Sequence, residues 1–316
     1  MKIKSCLPEA VLNNQAFAEL GWPSEKIMQK TGIRQRHIAG PNETALDLAV
    51  AACEALFADG IDKNTIDFVL YCTQSPDQLL PNNVSTLQQR LQLPTHIGSL
   101  DFNQGCSGFV YGLSLAKGLL ATQQVKKLLL VTSDTYSKYI TADDRTNRSV
   151  FGDGACATYL TLKDTNALGN FVFGTDGSGA SNLCVSNFGL RYPLSADSPK
   201  LTMNGPAIFN FTLATIPNAV DRVLTNNQLT LDDIDHVVFH QANGYVLEHL
   251  RSKLAIPKEK FHIYIEEVGN TVSSTIPLTL EWLMDNQRLK PGEKILLVGF
   301  GIGYSWIATV YTVPAT

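Results

Sequence analysis

The stretch Asp101-Phe102-Asn103-Gln104-Gly105-Cys106-Ser107-Gly108-Phe109-Val110-Tyr111-Gly112-Leu113-Ser114-Leu115-Ala116 places a single cysteine on a glycine-bounded turn, just before a run with helical spacing. Phe109, Leu113 and Ala116 recur at that spacing, which predicts a buried helix whose first turn carries the Cys106 thiol. Free backbone N–H groups and the positive end of the helix dipole favour a thiolate there. The sequence therefore predicts a nucleophile whose pKa is lowered toward neutrality. The alternative is that Cys106 is a small buried apolar residue, as most free cysteines are.

The composition narrows the classes of function. The chain has 316 residues, of which 44% are hydrophobic and 17% charged, and its formal net charge is -4. This length is enough for two domains or one large duplicated unit. Mild acidity without a run of lysines and arginines argues against nucleic acid as a partner. No apolar run approaches the roughly 20 residues of a membrane span and no signal peptide is evident, so we expect a cytoplasmic protein without a membrane partner.

The six cysteines show no CxxC spacing. This pattern predicts neither a zinc site nor a thioredoxin-like redox pair. Reduced thiols in a reducing compartment are the better interpretation.

Short apolar segments alternate with helical ones along the chain, which predicts an α/β layered architecture. Helices are expected around Pro23 to Lys30 and from about Thr44 to Asp59, the second with Thr44 and Asp47 as a capping box. Continuous apolar runs predict buried strands over Ile66 to Cys72 and over Lys127 to Ser133.

The second half of the chain repeats the first in four places. Three echoes keep similar separations: Ile66–Tyr71 with Ile234–Phe239, Lys127–Val131 with Lys294–Val298, and the segment after Gly105-Cys106 with that after Gly269-Asn270. The fourth, Phe151–Gly154 with Phe300–Gly303, has a shorter spacing. Four echoes in one order predict an internally duplicated chain with halves of about 160 residues around a pseudo-twofold axis. We place these halves at residues 1–165, carrying the cysteine, and 166–316.

The duplication predicts that Cys106 and Asn270 share one site, because equivalent helix starts then face each other across the axis. His240 joins them, since it directly follows the apolar strand Val237-Val238-Phe239. Ligands bind at the carboxyl ends of strands in open α/β sheets. A lone histidine is more often structural, but cysteine, histidine and asparagine together suit acyl transfer through a thioester.

Several motifs together make the chain resemble the β-ketoacyl-acyl-carrier-protein synthase III family, initiating condensing enzymes of the thiolase-like fold. They span nearly the whole chain: Thr31-Gly32-Ile33-Arg34, Cys106-x-Gly108-Phe109, Phe151-Gly152-Asp153-Gly154-Ala155, His240-Gln241-Ala242-Asn243, Gly269-Asn270-Thr271 and Gly299-Phe300-Gly301. The resemblance implies two duplicated α/β halves in a five-layered α-β-α-β-α arrangement.

By the same resemblance, Cys106 carries the acyl group while His240 and Asn270 hold the thioester carbonyl of the malonyl extender. Decarboxylation leaves negative charge on that oxygen, which two preorganised donors stabilise. The oxyanion hole of the acylation step uses backbone N–H groups at Cys106 and in the Gly301–Gly303 loop. The product is a 3-oxoacyl thioester, and neither a metal nor a cofactor is required.

The resemblance also implies the partners and the residues that bind substrate. The substrates are acyl-CoA or an acylated carrier protein as primer donor and malonyl-acyl carrier protein as extender, and the protein is expected to be a homodimer. Leu80 is expected to reach across the dimer interface into the partner's acyl pocket. The residues assigned to substrate binding are Leu80, Arg145, Phe151, Leu201, Met203, Asn243, Phe300, Gly301, Ile302 and Gly303.

The chain departs from the family pattern at positions that bind the donor and the carrier. Lys26 stands where members commonly carry a tryptophan that stacks on the coenzyme A adenine, whereas Arg145 keeps the companion arginine. Tyr245 replaces an arginine used in carrier docking, and Ile302 replaces a glycine. The acyl primer and its donor therefore stay open, and fatty-acid initiation and a specialised pathway both fit.

Three other functions compete with condensation. An acyltransferase of the same fold would pass the acyl group to an oxygen or nitrogen nucleophile, but His240 and Asn270 together favour condensation. A catalytically silent partner subunit would lack a member of the triad, and none is missing. A hydrolase using cysteine and histidine would leave the duplication unexplained.

Overall fold

The structure, a computed structural model, describes residues 1–186 and 199–315. Its strands are β1 (Lys2–Cys6), β2 (Val11–Asn13), β3 (Gln35–His37), β4 (Phe68–Cys72), β5 (Gly98–Phe102), β6 (Lys127–Asp134), β7 (Gly154–Thr161), β8 (Val172–Thr175), β9 (Leu183–Ser186), β10 (Lys200–Met203), β11 (His236–Phe239), β12 (Lys294–Gly301) and β13 (Ser305–Thr312). Its helices are α1 (Ser24–Thr31), α2 (Ala45–Ala58), α3 (Asn83–Leu91), α4 (Gly108–Ala121), α5 (Arg145–Arg148), α6 (Leu162–Ala167), α7 (Gly205–Asn226), α8 (Gly244–Lys253) and α9 (Thr275–Asp285). Among the described residues, no helix has the length and apolar character needed to cross a bilayer.

Two mixed sheets form the framework. The first has the strand order β1-β7-β6-β4-β5 and the second has β11-β12-β13-β8. In each sheet a long central strand pairs in parallel with one neighbour and antiparallel with the other: β6 lies between β4 and β7, and β12 between β11 and β13. The predicted internal duplication is therefore visible in the topology.

The apolar clusters of the described residues define five layers. One cluster lies between the sheets and contains the inward faces of α4 and α9, including Phe109, Leu113, Ile276 and Leu280. A second joins α2 and α3 to the outer face of the first sheet. A third joins α7 and α8 to the outer face of the second sheet. The order α-β-α-β-α, with α4 and α9 in the middle layer, confirms the predicted thiolase-like fold.

The local predictions hold with small shifts at the ends of elements. The Thr44–Asp47 capping box is present and α2 begins directly after it. The strand expected from Ile66 begins at Phe68, because Ile66 closes a short 3-10 turn. The division after residue 165 stays a prediction; β7 ends at Thr161 and β8 begins at Val172.

The fourth sequence echo has a shorter spacing for a structural reason. In the second half, β12 ends at Gly301 and a tight turn leads into β13 at Ser305. In the first half, residues 135–153 separate β6 from β7. This longer connection carries Tyr136 and Phe151 to the region around Cys106.

Candidate active site

Cys106 lies in a 3-10 turn, Gly105–Ser107, which runs directly into α4. The turn meets the end of β12 from the other half of the chain. The hydroxyls of Ser107 and Ser305 are 2.7 Å apart, so a hydrogen bond between buried side chains ties the two halves together beside the thiol.

Gly301 permits this close approach of β12 to the thiol. A Cβ atom at Gly301 would lie 2.6 Å from the Cβ of Cys106 and 2.9 Å from its Sγ. Both distances are shorter than side chains tolerate, so the backbone of β12 can pass over Cys106 only without a side chain at this position.

His240 follows β11 and is held by two hydrogen bonds. Its backbone N–H donates to the carbonyl of Val298, at 2.8 Å. Its Nδ1 lies 2.8 Å from the Thr275 hydroxyl, which is itself 3.2 Å from the carbonyl of Val272. The shorter contact favours donation by Thr275 to Nδ1, which leaves the ring proton on Nε2. Burial lowers the pKa of His240 to about 3, so the imidazole is neutral at ordinary pH and can act as a hydrogen-bond donor.

Asn270 lies on the turn that leads into α9. Its Oδ1 accepts from the backbone N–H of Val272 at 2.9 Å, and its Nδ2 donates to the carbonyl of Ala242 at 3.2 Å. These two bonds set the amide orientation and leave one Nδ2 proton for a ligand. Asn270 thus presents a fixed donor from the second half of the chain.

Cys106, His240 and Asn270 line one cavity of about 90 Å³. Five of the predicted substrate-binding residues line it with them: Phe151, Met203, Asn243, Phe300 and Gly301. The side chain of Asn243 also caps α8 by accepting from the backbone N–H of Val246, at 2.8 Å.

Of the remaining predicted binding residues, Leu201 and Ile302 lie close to Cys106, whereas Leu80 and Arg145 do not line the cavity. Leu201 belongs to the same buried apolar cluster as Cys106. The backbone N–H groups of Ile302 and Cys106 lower the pKa of the thiol, and Gly303 follows Ile302 in the turn between β12 and β13. Leu80 is 86% exposed, and Arg145 lies outside the cavity against an indole ring.

The expectation of a lowered pKa for Cys106 is wrong in the free protein. Burial, and then the charge of Asp134, raise the pKa of the thiol to about 12, and the N–H groups of Ile302 and Cys106 offset only part of this effect. Desolvation outweighs the helix terminus because the sulfur is almost fully enclosed, with the residue 4% exposed. Cys106 is therefore a thiol until substrate arrives.

Asp134 is a buried carboxyl that sequence reasoning missed. It accepts from the backbone N–H of Gln74 at 2.7 Å and from both the N–H and the hydroxyl of Ser273, so it connects the loop after β4 to the turn that carries Asn270. Burial raises its pKa to about 7. Nothing in its local sequence distinguishes it from an exposed aspartate.

Asp134 predicts a pH-dependent stability. Its pKa is about 7 in the folded protein and close to 3.9 when unfolded, so between these values the folded state binds more protons. The free energy of unfolding should therefore fall as pH rises through this window, by up to about 4 kcal/mol from this group. Asp134→Asn should remove this slope. The difference in thermal midpoint, variant minus wild type, should therefore increase between about pH 5 and pH 8. Equal midpoint differences at both pH values would contradict the assignment.

The structure identifies a tryptophan near Arg145 that motif counting missed. The Arg145 guanidinium carbon is 5.3 Å from the centre of the Trp22 ring, and Lys30 Nζ is 5.6 Å from it. Lys26 is exposed. The family resemblance placed the tryptophan position at Lys26, whereas the indole beside Arg145 comes from the segment before α1.

A larger, open cleft of about 610 Å³ lies elsewhere, between α1, the β2–β3 hairpin and Glu266. Neither cysteine nor histidine is among the residues that line it. The candidate nucleophile and both candidate hydrogen-bond donors lie at the smaller cavity.

Known proteins share both the sequence and the fold of this chain. Residues 100–177 match the family model for 3-oxoacyl-[acyl-carrier-protein] synthase III, and residues 224–313 match the model for its C-terminal part. A beta-ketoacyl-[acyl-carrier-protein] synthase III from Acaryochloris marina is 34% identical, with 97% of this chain and 95% of the relative covered.

Solved structures agree. A crystal structure of a 3-oxoacyl-(acyl-carrier-protein) synthase III has a TM-score of 0.95 and 48% identity, with 98% of each chain covered. The synthase III of Pseudomonas aeruginosa has a TM-score of 0.90 and 34% identity, covering 99% of this chain and 97% of its own. Since the relatives match over nearly their full length and the motifs around Cys106, His240 and Asn270 lie at one cavity, the chain belongs to the 3-oxoacyl-[acyl-carrier-protein] synthase III family.

Proposed function

We propose that this protein condenses an acyl thioester primer with malonyl-acyl carrier protein, through an acyl-enzyme on Cys106, and releases carbon dioxide. The observation that carries the proposal is the convergence of Cys106, His240 and Asn270 on one cavity. The arrangement joins a nucleophile from one half of the chain to two fixed hydrogen-bond donors from the other.

In the first step the Cys106 sulfur attacks the carbonyl of the primer thioester. The acyl group moves to Sγ, and the thiol proton leaves with the sulfur of the departing carrier. The backbone N–H groups of Cys106 and Ile302, which already favour negative charge at this position, would stabilise the tetrahedral oxyanion. The high pKa of the free thiol means that proton loss accompanies attack.

In the second step the malonyl thioester loses carbon dioxide, and the resulting enolate attacks the acyl carbonyl. The new carbon–carbon bond releases the Cys106 sulfur, which takes up a proton. His240 and Asn270 would donate to the enolate oxygen, His240 through Nε2 and Asn270 through its free Nδ2 proton. Because the pKa of His240 is about 3, the imidazole is neutral at working pH and carries one ring proton. That proton, on Nε2, is the one donated to the enolate oxygen.

The test is reconstitution with acyl-CoA and acyl-carrier-protein donors and malonyl-acyl carrier protein, with mass analysis of the products. We expect a 3-oxoacyl-acyl carrier protein and one carbon dioxide per product. An ester or amide formed without carbon dioxide would favour the acyltransferase alternative.

For the donor, we propose that Trp22 and Arg145 bind the adenine of coenzyme A. A half-buried indole beside a guanidinium offers a flat surface for stacking, and Lys30 adds positive charge for phosphate. At the mouth of the cavity, Tyr245 is 50% exposed, and its ring lies 5.7 Å from that of Phe209 and 4.1 Å from that of His249. An uncharged aromatic rim makes electrostatics a smaller part of carrier docking here than an arginine would.

We also propose that the protein is a homodimer. β5 is the edge strand of the first sheet, and Leu100 on it is 46% exposed. Leu79 and Leu80 in the nearby loop are 59% and 86% exposed. Unpaired strand edges with exposed apolar residues are normally covered. We therefore assign this edge to the interface with a second copy of the chain.

The dimer proposal predicts that Leu80 acts on the partner's site. Light scattering should give twice the chain mass of 34.5 kDa. Leu80→Phe should shorten the longest primer accepted, because a larger side chain fills the partner's acyl pocket, whereas Leu79→Phe should not. In a mixed dimer of a Cys106→Ser chain with a Leu80→Phe chain, the intact cysteine faces a wild-type Leu80 and should again accept longer primers. A short primer limit in that mixed dimer, or a fully active monomer, would overturn the proposal.

A further inference from the structure

A hydrogen-bonded glutamine and tyrosine, Gln74 and Tyr136, lie beside the turn that carries Cys106. Gln74 follows β4 and Tyr136 follows β6, so neighbouring parallel strands bring their loops together. The Tyr136 hydroxyl donates to Gln74 Oε1 at 2.5 Å, and Gln74 Nε2 donates to Asn103 Oδ1 at 2.5 Å. Tyr139 donates to the Gln74 carbonyl at 3.1 Å. The pair is thus held in one arrangement.

This pair borders the loop that carries the thiol. A Cβ atom at Gly105 would lie 2.3 Å from Gln74 Oε1, so the glutamine amide covers the residue that precedes Cys106. Tyr136 is 1% exposed and belongs to the same buried cluster as Cys106. Its ring centre is 5.1 Å from that of Phe151, which lines the cavity. The pair thus lies next to Cys106 and Phe151, and an acyl group on Sγ that extended past Phe151 would meet it.

Hydrogen-bonding groups at this position favour a polar ligand. The apolar residues clustered with Tyr136 include Val150, Phe151 and Leu201, and a plain alkyl primer would be served better by such neighbours than by a hydroxyl and an amide. After the bonds above, the Tyr136 oxygen keeps its acceptor sites, and the Gln74 amide keeps one N–H and one acceptor site. Tyr136 is buried and Gln74 half-buried, and hydrogen-bonding sites that are shielded from water discriminate against ligands that leave them empty.

The charges around the pair exclude an anionic ligand. In the part of the chain that the structure describes, no lysine or arginine is hydrogen-bonded to Gln74 or Tyr136, and the Asp134 carboxyl accepts from the backbone N–H of Gln74. A second negative group would be repelled and left without a counter-charge. The matching substituent is therefore uncharged.

We propose that Gln74 and Tyr136 select a short acyl primer bearing an uncharged hydrogen-bonding group, such as a hydroxyl, over an alkyl primer of the same length. The proposal rests on the proposed function, because it concerns the acyl group carried by Cys106. Gln74 and Tyr136 would determine which acyl chain is accepted. Cys106, His240 and Asn270 would carry out the reaction.

The experiment compares butyryl-CoA with 3-hydroxybutyryl-CoA and 4-hydroxybutyryl-CoA, which share one chain length. Acylation of Cys106 is followed by intact mass, and kcat/KM is measured for condensation with malonyl-acyl carrier protein. We expect at least one hydroxyacyl donor to exceed butyryl-CoA by about tenfold, the effect of one buried hydrogen bond. Tyr136→Phe and Gln74→Leu should each bring that ratio close to one by lowering the hydroxyacyl value. The control is Tyr159→Phe, because Tyr159 lies on β7 and faces the outer layer.

The outcomes separate this proposal from the proposed function. A wild-type ratio near or below one for both hydroxyacyl donors, with Cys106 acylated by butyryl-CoA, overturns the proposal and leaves the condensing function in place. A ratio that survives both substitutions also overturns it. If one variant fails to fold, the other decides. Absence of acylation by every donor in the panel counts against the proposed function itself.

Discussion

Replacing Cys106 with serine is expected to abolish the acyl-enzyme and to lower condensation by about 10³-fold or more. The serine hydroxyl is a far weaker acid than the thiol, and no described base is hydrogen-bonded to position 106. His240 has its Nδ1 engaged by Thr275 and a pKa of about 3, so it is a poor proton acceptor for an alcohol. The thiol differs because sulfur is intrinsically nucleophilic and needs only partial proton transfer during attack.

Intact-mass analysis after exposure to acyl donors measures this effect, with peptide mapping to locate the adduct. Cys184→Ser is the matched control, because Cys184 is a half-buried thiol on β9 and its loss should leave the adduct in place. An adduct on another cysteine, with Cys106 unmodified, would remove Cys106 as the nucleophile.

Replacing His240 or Asn270 with alanine is expected to separate the two half-reactions. Acylation of Cys106 relies on backbone donors from the Cys106 turn and the end of β12, so it should stay within about tenfold of wild type. Release of carbon dioxide should fall by about 10²–10³ for each variant, since each removes one preorganised donor from the enolate oxygen. The double variant should lose less than the product of the two, because residues that act as a unit are not additive.

Two assays on each variant make this measurement: labelled acyl transfer onto the protein, and carbon dioxide release from malonyl-acyl carrier protein. His96→Ala and Asn286→Ala serve as controls, since both residues are exposed and neither lines the cavity. If Asn270→Ala kept carbon dioxide release and lost acylation, the acyltransferase alternative would replace condensation.

Local signals in the sequence were sufficient for the framework and for the choice of Cys106, His240 and Asn270 as candidate site residues. Apolar runs and capping residues such as Thr44 report the elements directly, because hydrophobic period and cap chemistry are properties of neighbouring residues. The four echoes revealed the duplication, since two copies of one unit keep their strand patterns. Duplication then implied that Cys106 and Asn270, at equivalent turns, meet across the axis. Their meeting at one cavity agrees with that inference.

Only the tertiary structure decided the electrostatics and the neighbours of the site. The helix terminus argued for a thiolate at Cys106, but burial raises the thiol pKa to about 12, and burial depends on segments distant in sequence, among them Gly301. Trp22 rather than Lys26 stands beside Arg145, because the turn before α1 brings the indole there. The local sequence around Asp134, Gln74 and Tyr136 did not indicate that these residues lie near Cys106. Their loops meet because parallel strands end at one edge of a sheet, a relation that exists only after the chain has folded.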